Sequence, residues 1–426
     1  MLEKTSEFRK RTMSRYDVIV VGAGPAGNSA AYALAKGGAK VALLEKQTLP
    51  RHKTCGGGMP MAIQKELRDL APEAFVEADT LFMRHTYQFS DPLLVPMNPE
   101  GAAKPPLSLW MVQRSLFDHA LTQRAVGAGA ELFEGLGLRS LEVTPDGVRV
   151  KAEGKNGSWE GTATTLIGAD GANGLAAKSV GLRKERALAI AIEAEVPHKW
   201  GTGHPDLRPD VVHLEYGVVQ RGYAWVFPKG DHLNVGAGVF RPRKEDGRGD
   251  NSIRPLLHKA IMDYLALLGV PHREEDLVFH AHPLPIWSGL DTIQTRDNRV
   301  LLVGDAAGLI NPIFGDGILH AVKSGQIAAE CLLANNAKGY TRAISAEFKT
   351  NFDAALRLAK FFYQWPRFCY RHGVMRPNAT RTATRLLCGD LQFNDVTGRV
   401  MRRIREAIRA DKRAKNADTL PDISEW

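Results

Sequence analysis

The chain has 426 residues, 44% of them apolar and 24% charged, with a formal net charge of +9. That length suits two or three domains with ample core, and no apolar run approaches the ~20 residues that cross a bilayer. The polar start MLEKTSEFRKRTMSR lacks the apolar centre of a signal peptide, so a cytoplasmic protein is expected.

Cys55, Cys331, Cys369 and Cys388 stand singly, which argues against a zinc site and a disulfide framework and fits a reducing compartment. The basic balance admits anionic lipid, an acidic protein or an acidic small molecule as partner. No helix-turn-helix, zinc or RNA-binding signature accompanies it, which sets nucleic acid aside.

Tyr16 to Glu45 reads as a βαβ unit: the apolar run Val18 to Val21, a glycine turn, an alanine-rich helix and a second apolar run ending in an acid. Gly22 permits the tight turn, Gly24 lets a pyrophosphate approach the backbone, and Gly27 allows close helix packing. The free N–H groups at the helix start, beside Pro25 and Ala26, form an anion site. Glu45 lies 18 residues past Gly27, near the ~20 expected for an acid that meets a ribose hydroxyl. A dinucleotide site follows, with FAD and NAD both open at this point.

The loop Arg51 to Pro60 comes next. Cys55 stands there among Gly56, Gly57 and Gly58, after three basic residues that favour a reactive thiol. Leu81 to Pro96 reads as strands, Ser115 to Val126 as a helix behind Arg114, and Gly168 to Gly174 as a strand ending in Asp170 and glycines. About Leu188 to Pro285 reads mainly as strands around one helix, Ile253 to Leu268. Tyr223, Trp225 and Phe227 alternate there and so share one face, with Ala224 and Val226 on the other. The pattern RVLLVGD returns a buried strand ending at Gly304 and Asp305. The segment from Asn311 through Pro312, Gly315, Gly317 and Ile318 then opens a helix whose N–H groups can face developing negative charge. The remainder reads as helical. The first domain is expected to be interrupted by the second.

The three motifs GAGPAG at Gly22, GADG at Gly168 and GD at Gly304, in this order, resemble the p-hydroxybenzoate hydroxylase-type flavoproteins over Tyr16 to about Leu333. The resemblance implies an α/β fold: a split FAD-binding Rossmann-like domain, an inserted β-sheet substrate domain and a helical C-terminal region. The expected bounds are 1–80, 107–185 and 286–333 for the first, 81–106 and 186–285 for the second, and 334–426 for the third. It implies Glu45, with Lys46, at the adenosine ribose, Arg114 on the dinucleotide part, Asp170 near the pyrophosphate and Asp305 on the ribityl chain.

A narrower resemblance rests on KTCGG at Lys53 and YAWVFP at Tyr223, with GAG at Gly236 after seven intervening residues. These are similar to the geranylgeranyl reductase family, whose members saturate double bonds in prenyl chains of lipids or chlorophyll precursors. Cys55, Tyr223, Trp225 and Phe227 are then the expected catalytic residues, with Cys55, Gly56 and Gly57 also against the cofactor. An isolated alkene has no carbonyl to polarise it, so hydride from reduced FAD must be matched by a proton, from Cys55, a tyrosine or water. A dry aromatic wall would protect positive charge on carbon. An FAD-dependent hydroxylase or halogenase, and a non-catalytic flavin carrier, are the alternatives. No second GxGxxG serves a nicotinamide, so NADPH and a reduced ferredoxin both remain as electron donors.

The C-terminal third holds FFYQWPRFCY from Phe361, six aromatics in ten residues, fit to cap a lipid tunnel or to pack a core. Arg399 to Lys415 is basic, with Val400, Ile404 and Ile408 on one stripe, an amphipathic helix suited to an anionic membrane, an acidic electron donor or simple docking.

Overall fold

The computed structural model describes residues 14–98, 107–155, 157–183, 188–240, 253–289 and 291–413. The N-terminal segment, part of the first excursion expected at 81–106, and the end of the basic segment at Lys415 lie outside the described residues, as does the side chain of Ile408.

The strand Ser14–Val21 sits centrally in a seven-stranded sheet, between Val41–Glu45 and the long strand Gly157–Gly168. These neighbours are parallel, as are Glu131–Glu134 beyond Val41–Glu45 and Val300–Leu302 beside the end of the long strand. Both sequence-distant pieces therefore close on the opening βαβ unit. All five residues of Val41–Glu45 are buried, the near-continuous burial of a parallel strand covered on both faces. The other half of the long strand pairs with an antiparallel meander, Gly137–Thr144 and Gly147–Gly154.

The helix Pro25–Lys36 begins with proline, whose missing N–H costs nothing there, and packs on the helices Arg114–Gly127 and Ile318–Leu333. Its approach depends on two glycines. Gly22 has φ of +105°, and a Cβ on Gly27 would stand 1.9 Å from the Gly22 carbonyl oxygen.

The second sheet has the order His280–Pro285, Leu188–Pro197, His232–Phe240, Gly222–Pro228, Val211–Tyr216, Phe82–Tyr87, Ser90–Pro96. Its pairs are antiparallel except Val211–Tyr216 with Phe82–Tyr87. Period-two alternation splits it into two faces. Ala224, Val226, Val235 and Ala237 pack behind it against Leu257, Ile261 and Leu265 of the helix Ile253–Leu267. Tyr223, Trp225 and Phe227 point forward, as their alternation predicts.

A third sheet was not foreseen. Gly58–Pro60 and Val76–Thr80 flank Leu109–Val112, antiparallel, so the end of the Cys55 loop is anchored as a strand. Helices of the C-terminal region, including Thr350–Gln364 and Phe393–Arg413, pack on Ala189, Phe240, Ile310 and Ile313 and roof the forward face of the second sheet.

Candidate functional site

One cavity of about 1120 Å³ is bordered by the strand ends of the first sheet, the forward face of the second and the C-terminal helices. It brings together most of the sequence-predicted residues. Gly22, Gly24, Pro25, Ala26, Glu45, Lys46, Cys55, Gly56, Gly57, Arg114, Asp170, Asp305, Gly315, Gly317 and Ile318 border it, as do Tyr223, Trp225 and Phe227. Gly27, Gly304 and Pro312 do not border it. For the first two the packing explains the glycine: a Cβ on Gly304 would meet Ala26 at 3.0 Å.

At one end the walls are glycine and charge. Glu45 is held by the N–H of Ala23 at 3.0 Å and by Arg51 at 3.3 Å. Arg51 also donates to Asp118 at 3.0 Å, and Arg114 grips the same carboxylate through Nε and Nη2, both at 2.9 Å. Burial opposes charge on Arg114, but the Asp118 carboxylate holds its guanidinium above its ordinary value. Asp118 was missed from the sequence. Its signal was there, an acid four residues after Arg114 on one helix face. Asp170 accepts from the Ala176 N–H at 2.8 Å, which ties the second motif to the turn after it.

The Cys55 loop is held from below by the second sheet. The Cys55 N–H donates to Glu193 at 2.6 Å. Lys229 donates to the carbonyls of Gly56 and Val112, both at 2.8 Å. Burial pushes the Lys229 ammonium down to about 8 against the pull of Cys55, Glu77 and Glu193. Burial likewise raises Glu193, with the Cys55 N–H and Asn234 opposing. Lys53 donates to His282 Nε2 at 2.9 Å, and burial next to Lys53 lowers that imidazole to about 3, so it accepts as a neutral ring. Lys229 directly follows the aromatic strand, a positional hint. Glu193 and His282 carry none, since their place depends on strand pairing.

At the other end the walls are aromatic. Trp225 donates to Asn234 at 2.9 Å and lies over Gly236, where a Cβ would stand 2.1 Å from its ring. Tyr223 donates to the Phe314 carbonyl at 2.5 Å and Tyr363 to the Ile313 carbonyl. Two rings thus pin the loop that starts the helix Ile318–Leu333. Phe362, Tyr363, Phe368, Val400 and Ile404 close this end, so the FFYQWPRFCY segment and the visible part of the basic helix's apolar stripe serve as cavity wall. Cys331, Cys369 and Cys388 are buried.

FAD fits this chemistry. The helix Pro25–Lys36 starts at Gly24 with no side-chain cap, and a Cβ on Gly24 would meet nothing within 4 Å, which leaves its N–H groups open to an anion. The helix Ile318–Leu333 likewise starts uncapped at Gly317. Glu45 and Asp305 border the cavity as hydroxyl acceptors. Among the described residues no cluster suits a metal ion, and no helix is long and apolar enough to cross a membrane.

Comparison with known proteins agrees with the fold and the cofactor. A family model described as an FAD binding domain matches residues 15–339. The chain is 33% identical to a chloroplastic geranylgeranyl diphosphate reductase of Oryza sativa subsp. japonica, over 88% of this chain and 79% of that protein. It is 30% identical to a menaquinone reductase of Mycolicibacterium smegmatis, over 87% and 89%. A geranylgeranyl bacteriochlorophyll reductase-like protein of Thermoplasma acidophilum shares the fold, with a TM-score of 0.72 at 22% identity over 94% of this chain and all of that one. The flavin-dependent brominase Bmp2 shares it too, with a TM-score of 0.69 at 20% identity over 94% of this chain and all of that one. The chain is thus an FAD-dependent oxidoreductase and belongs to the geranylgeranyl reductase family within the p-hydroxybenzoate hydroxylase-like flavoproteins.

Proposed function

We propose that the protein saturates C=C bonds in the prenyl chain of a lipid, quinone or chlorophyll precursor. The observation that carries this reading is the continuity of one cavity from the glycine-and-acid end to the aromatic end. The relatives named as geranylgeranyl diphosphate and menaquinone reductases point to the same substrate class. Glu45 would hold the adenosine ribose, Gly24 to Ala26 and Asp170 the pyrophosphate region, and Asp305 the ribityl chain. Bound FAD, once reduced, supplies hydride.

The chain's own residues do the rest. Trp225 and Phe227 exclude water from the alkene, and their ring faces stabilise positive charge on the more substituted carbon. Cys55 supplies the proton to that alkene. Tyr223 serves as wall, since its hydroxyl is committed to the Phe314 carbonyl and burial holds it far above its ordinary range. With FAD bound, the uncapped start of the helix Ile318–Leu333 would stabilise negative charge on the reduced ring system. Electrons arrive from NADPH or a reduced ferredoxin, and the basic helix Phe393–Arg413 rests on anionic membrane, where prenyl lipids reside.

Anaerobic incubation of chemically reduced protein with geranylgeranyl lipids, prenylquinones and chlorophyll precursors tests the reading by mass. A gain of two hydrogens per saturated bond is expected, and a hydroxylated or halogenated product formed only with oxygen would replace it. Cys55→Ser should retain FAD and slow single-turnover reduction of the alkene at least ~10-fold; wild-type rates would remove Cys55 from the proton path. Flotation with anionic vesicles at low salt tests the membrane contact, which fails if the protein stays unbound.

A further inference from the structure

A row of residues crosses the forward face of the second sheet and ends on a polar group that reduction itself does not use. By strand register, Glu193, Gly236, Trp225, Leu214 and His85 stand side by side on successive strands. Glu193 sits beneath the Cys55 loop. Four strand spacings, about 19 Å at about 4.8 Å each, separate it from His85. Both ends border the same cavity.

His85 is 4% exposed. Its ring stacks on Tyr216 with centroids 6.0 Å apart, and the Tyr216 hydroxyl lies 3.4 Å from Nδ1. The Tyr216 hydroxyl can donate to Nδ1, the arrangement in which the ring carries its hydrogen on Nε2. The Tyr370 hydroxyl donates to the Asp91 carbonyl at 2.5 Å and lies 3.2 Å from the His85 carbonyl. Among the described residues Nε2 has no partner. A buried donor left unpaired costs about 1–3 kcal/mol, and binding cavities that are mostly apolar orient their ligands with a few such groups.

Burial lowers the imidazole to about 4, so the donor is neutral near pH 7. Arg84 and Thr86, its neighbours in sequence, point to the opposite face by the strand's alternation. A neutral donor suits an uncharged oxygen, whereas a diphosphate calls for charge-assisted bonds.

We propose that the Nε2–H of His85 receives an uncharged carbonyl oxygen of the substrate, so that the prenyl chain lies across Leu214 and Trp225 towards the Cys55 loop. This deepens the prenyl reading of the cavity and rests on it. The span from His85 to the loop then acts as a ruler that selects which double bond is reduced. Substrates with a quinone or ester carbonyl are favoured over a free prenyl diphosphate.

The test is binding to the FAD-loaded protein, followed through flavin absorbance and tryptophan fluorescence, with menaquinone, geranylgeranyl acetate, geranylgeranyl diphosphate and the oxygen-free isoprenoid squalene. The carbonyl compounds should bind at least ~10-fold tighter than squalene and the diphosphate, consistent with one buried hydrogen bond. Whichever carbonyl compound binds tighter identifies the quinone or the ester as the source. His85→Phe should erase that preference and leave squalene affinity unchanged, and His85→Gln, which keeps a donor, should retain part of it. Equal wild-type affinities, or a preference that survives His85→Phe, overturn the His85 assignment and leave the prenyl reading intact. The wild-type comparison decides this even if His85→Phe loses its flavin. Failure of every isoprenoid to bind overturns both.

Discussion

The two ends of the cavity are built on different physics. The cofactor end is a set of short-range constraints: glycine turns with no room for a Cβ, and one buried chain of charges from Glu45 through Arg51 and Asp118 to Arg114. The aromatic end is lined by the uncharged rings of Tyr223, Trp225, Phe227, Tyr216 and Phe362. Its rings are placed by strand register, and its hydroxyls tie to loop carbonyls or to His85. The first end holds a charged cofactor at fixed points. The second, in the reading proposed above, takes an apolar chain and stops it at a polar group.

The sharpest way to break this contrast is at Asp118. Asp118→Ala leaves Arg51 and Arg114 buried without their shared carboxylate and should cost about 3–5 kcal/mol. Urea unfolding with and without added FAD measures it, and a loss below 1 kcal/mol would mean the charge chain does not organise this end. Gly27→Val forces a side chain towards the Gly22 carbonyl, at about 1–3 kcal/mol, and should release most of the flavin on gel filtration. Flavin retained at full stoichiometry would contradict the close-packing role.

The aromatic end should respond differently. Gly236→Ala displaces the Trp225 ring and is expected to keep the flavin yet slow prenyl turnover ~10-fold, with a stability change of about 1–2 kcal/mol. Loss of flavin instead would show that the two ends are not separable.

The smallest effect lies behind the aromatic wall. On the rear face, burial raises the Glu215 carboxyl to about 7 against hydrogen bonds from Thr86 and Phe89. Unfolded chain releases that proton near the ordinary carboxyl value of 4.5, so between pH 4.5 and 7 the native state binds more protons. Stability therefore falls as pH rises through this window and levels off above it. Glu215→Gln should flatten this dependence in melting curves at pH 4.5 and 7.5 without changing flavin content. Parallel wild-type and variant curves would remove Glu215 as its source.

Much of the cofactor end was legible before folding. Gly22, Gly24 and Glu45 act through spacings of a few residues along one βαβ unit, where backbone conformation and helix start are local properties. The alternation of Tyr223, Trp225 and Phe227 was legible for the same reason, since a strand's period sends them to one face whatever lies opposite. Asp118 was within reach through its i,i+4 spacing from Arg114. The three-stranded sheet that anchors the Cys55 loop was not, because Gly58–Pro60, Val76–Thr80 and Leu109–Val112 are short runs whose pairing joins distant segments.

By itself the sequence determined the dinucleotide turn, the acids at the strand ends and the common face of the aromatic residues, each set by local periodicity and backbone sterics. The tertiary structure alone decided that Glu193 and Lys229 hold the Cys55 loop, that the C-terminal helices roof the cavity, and that His85 ends the row that passes Trp225. Those placements follow from strand order and register, which are fixed only when residues more than a hundred positions apart compete for the same neighbours.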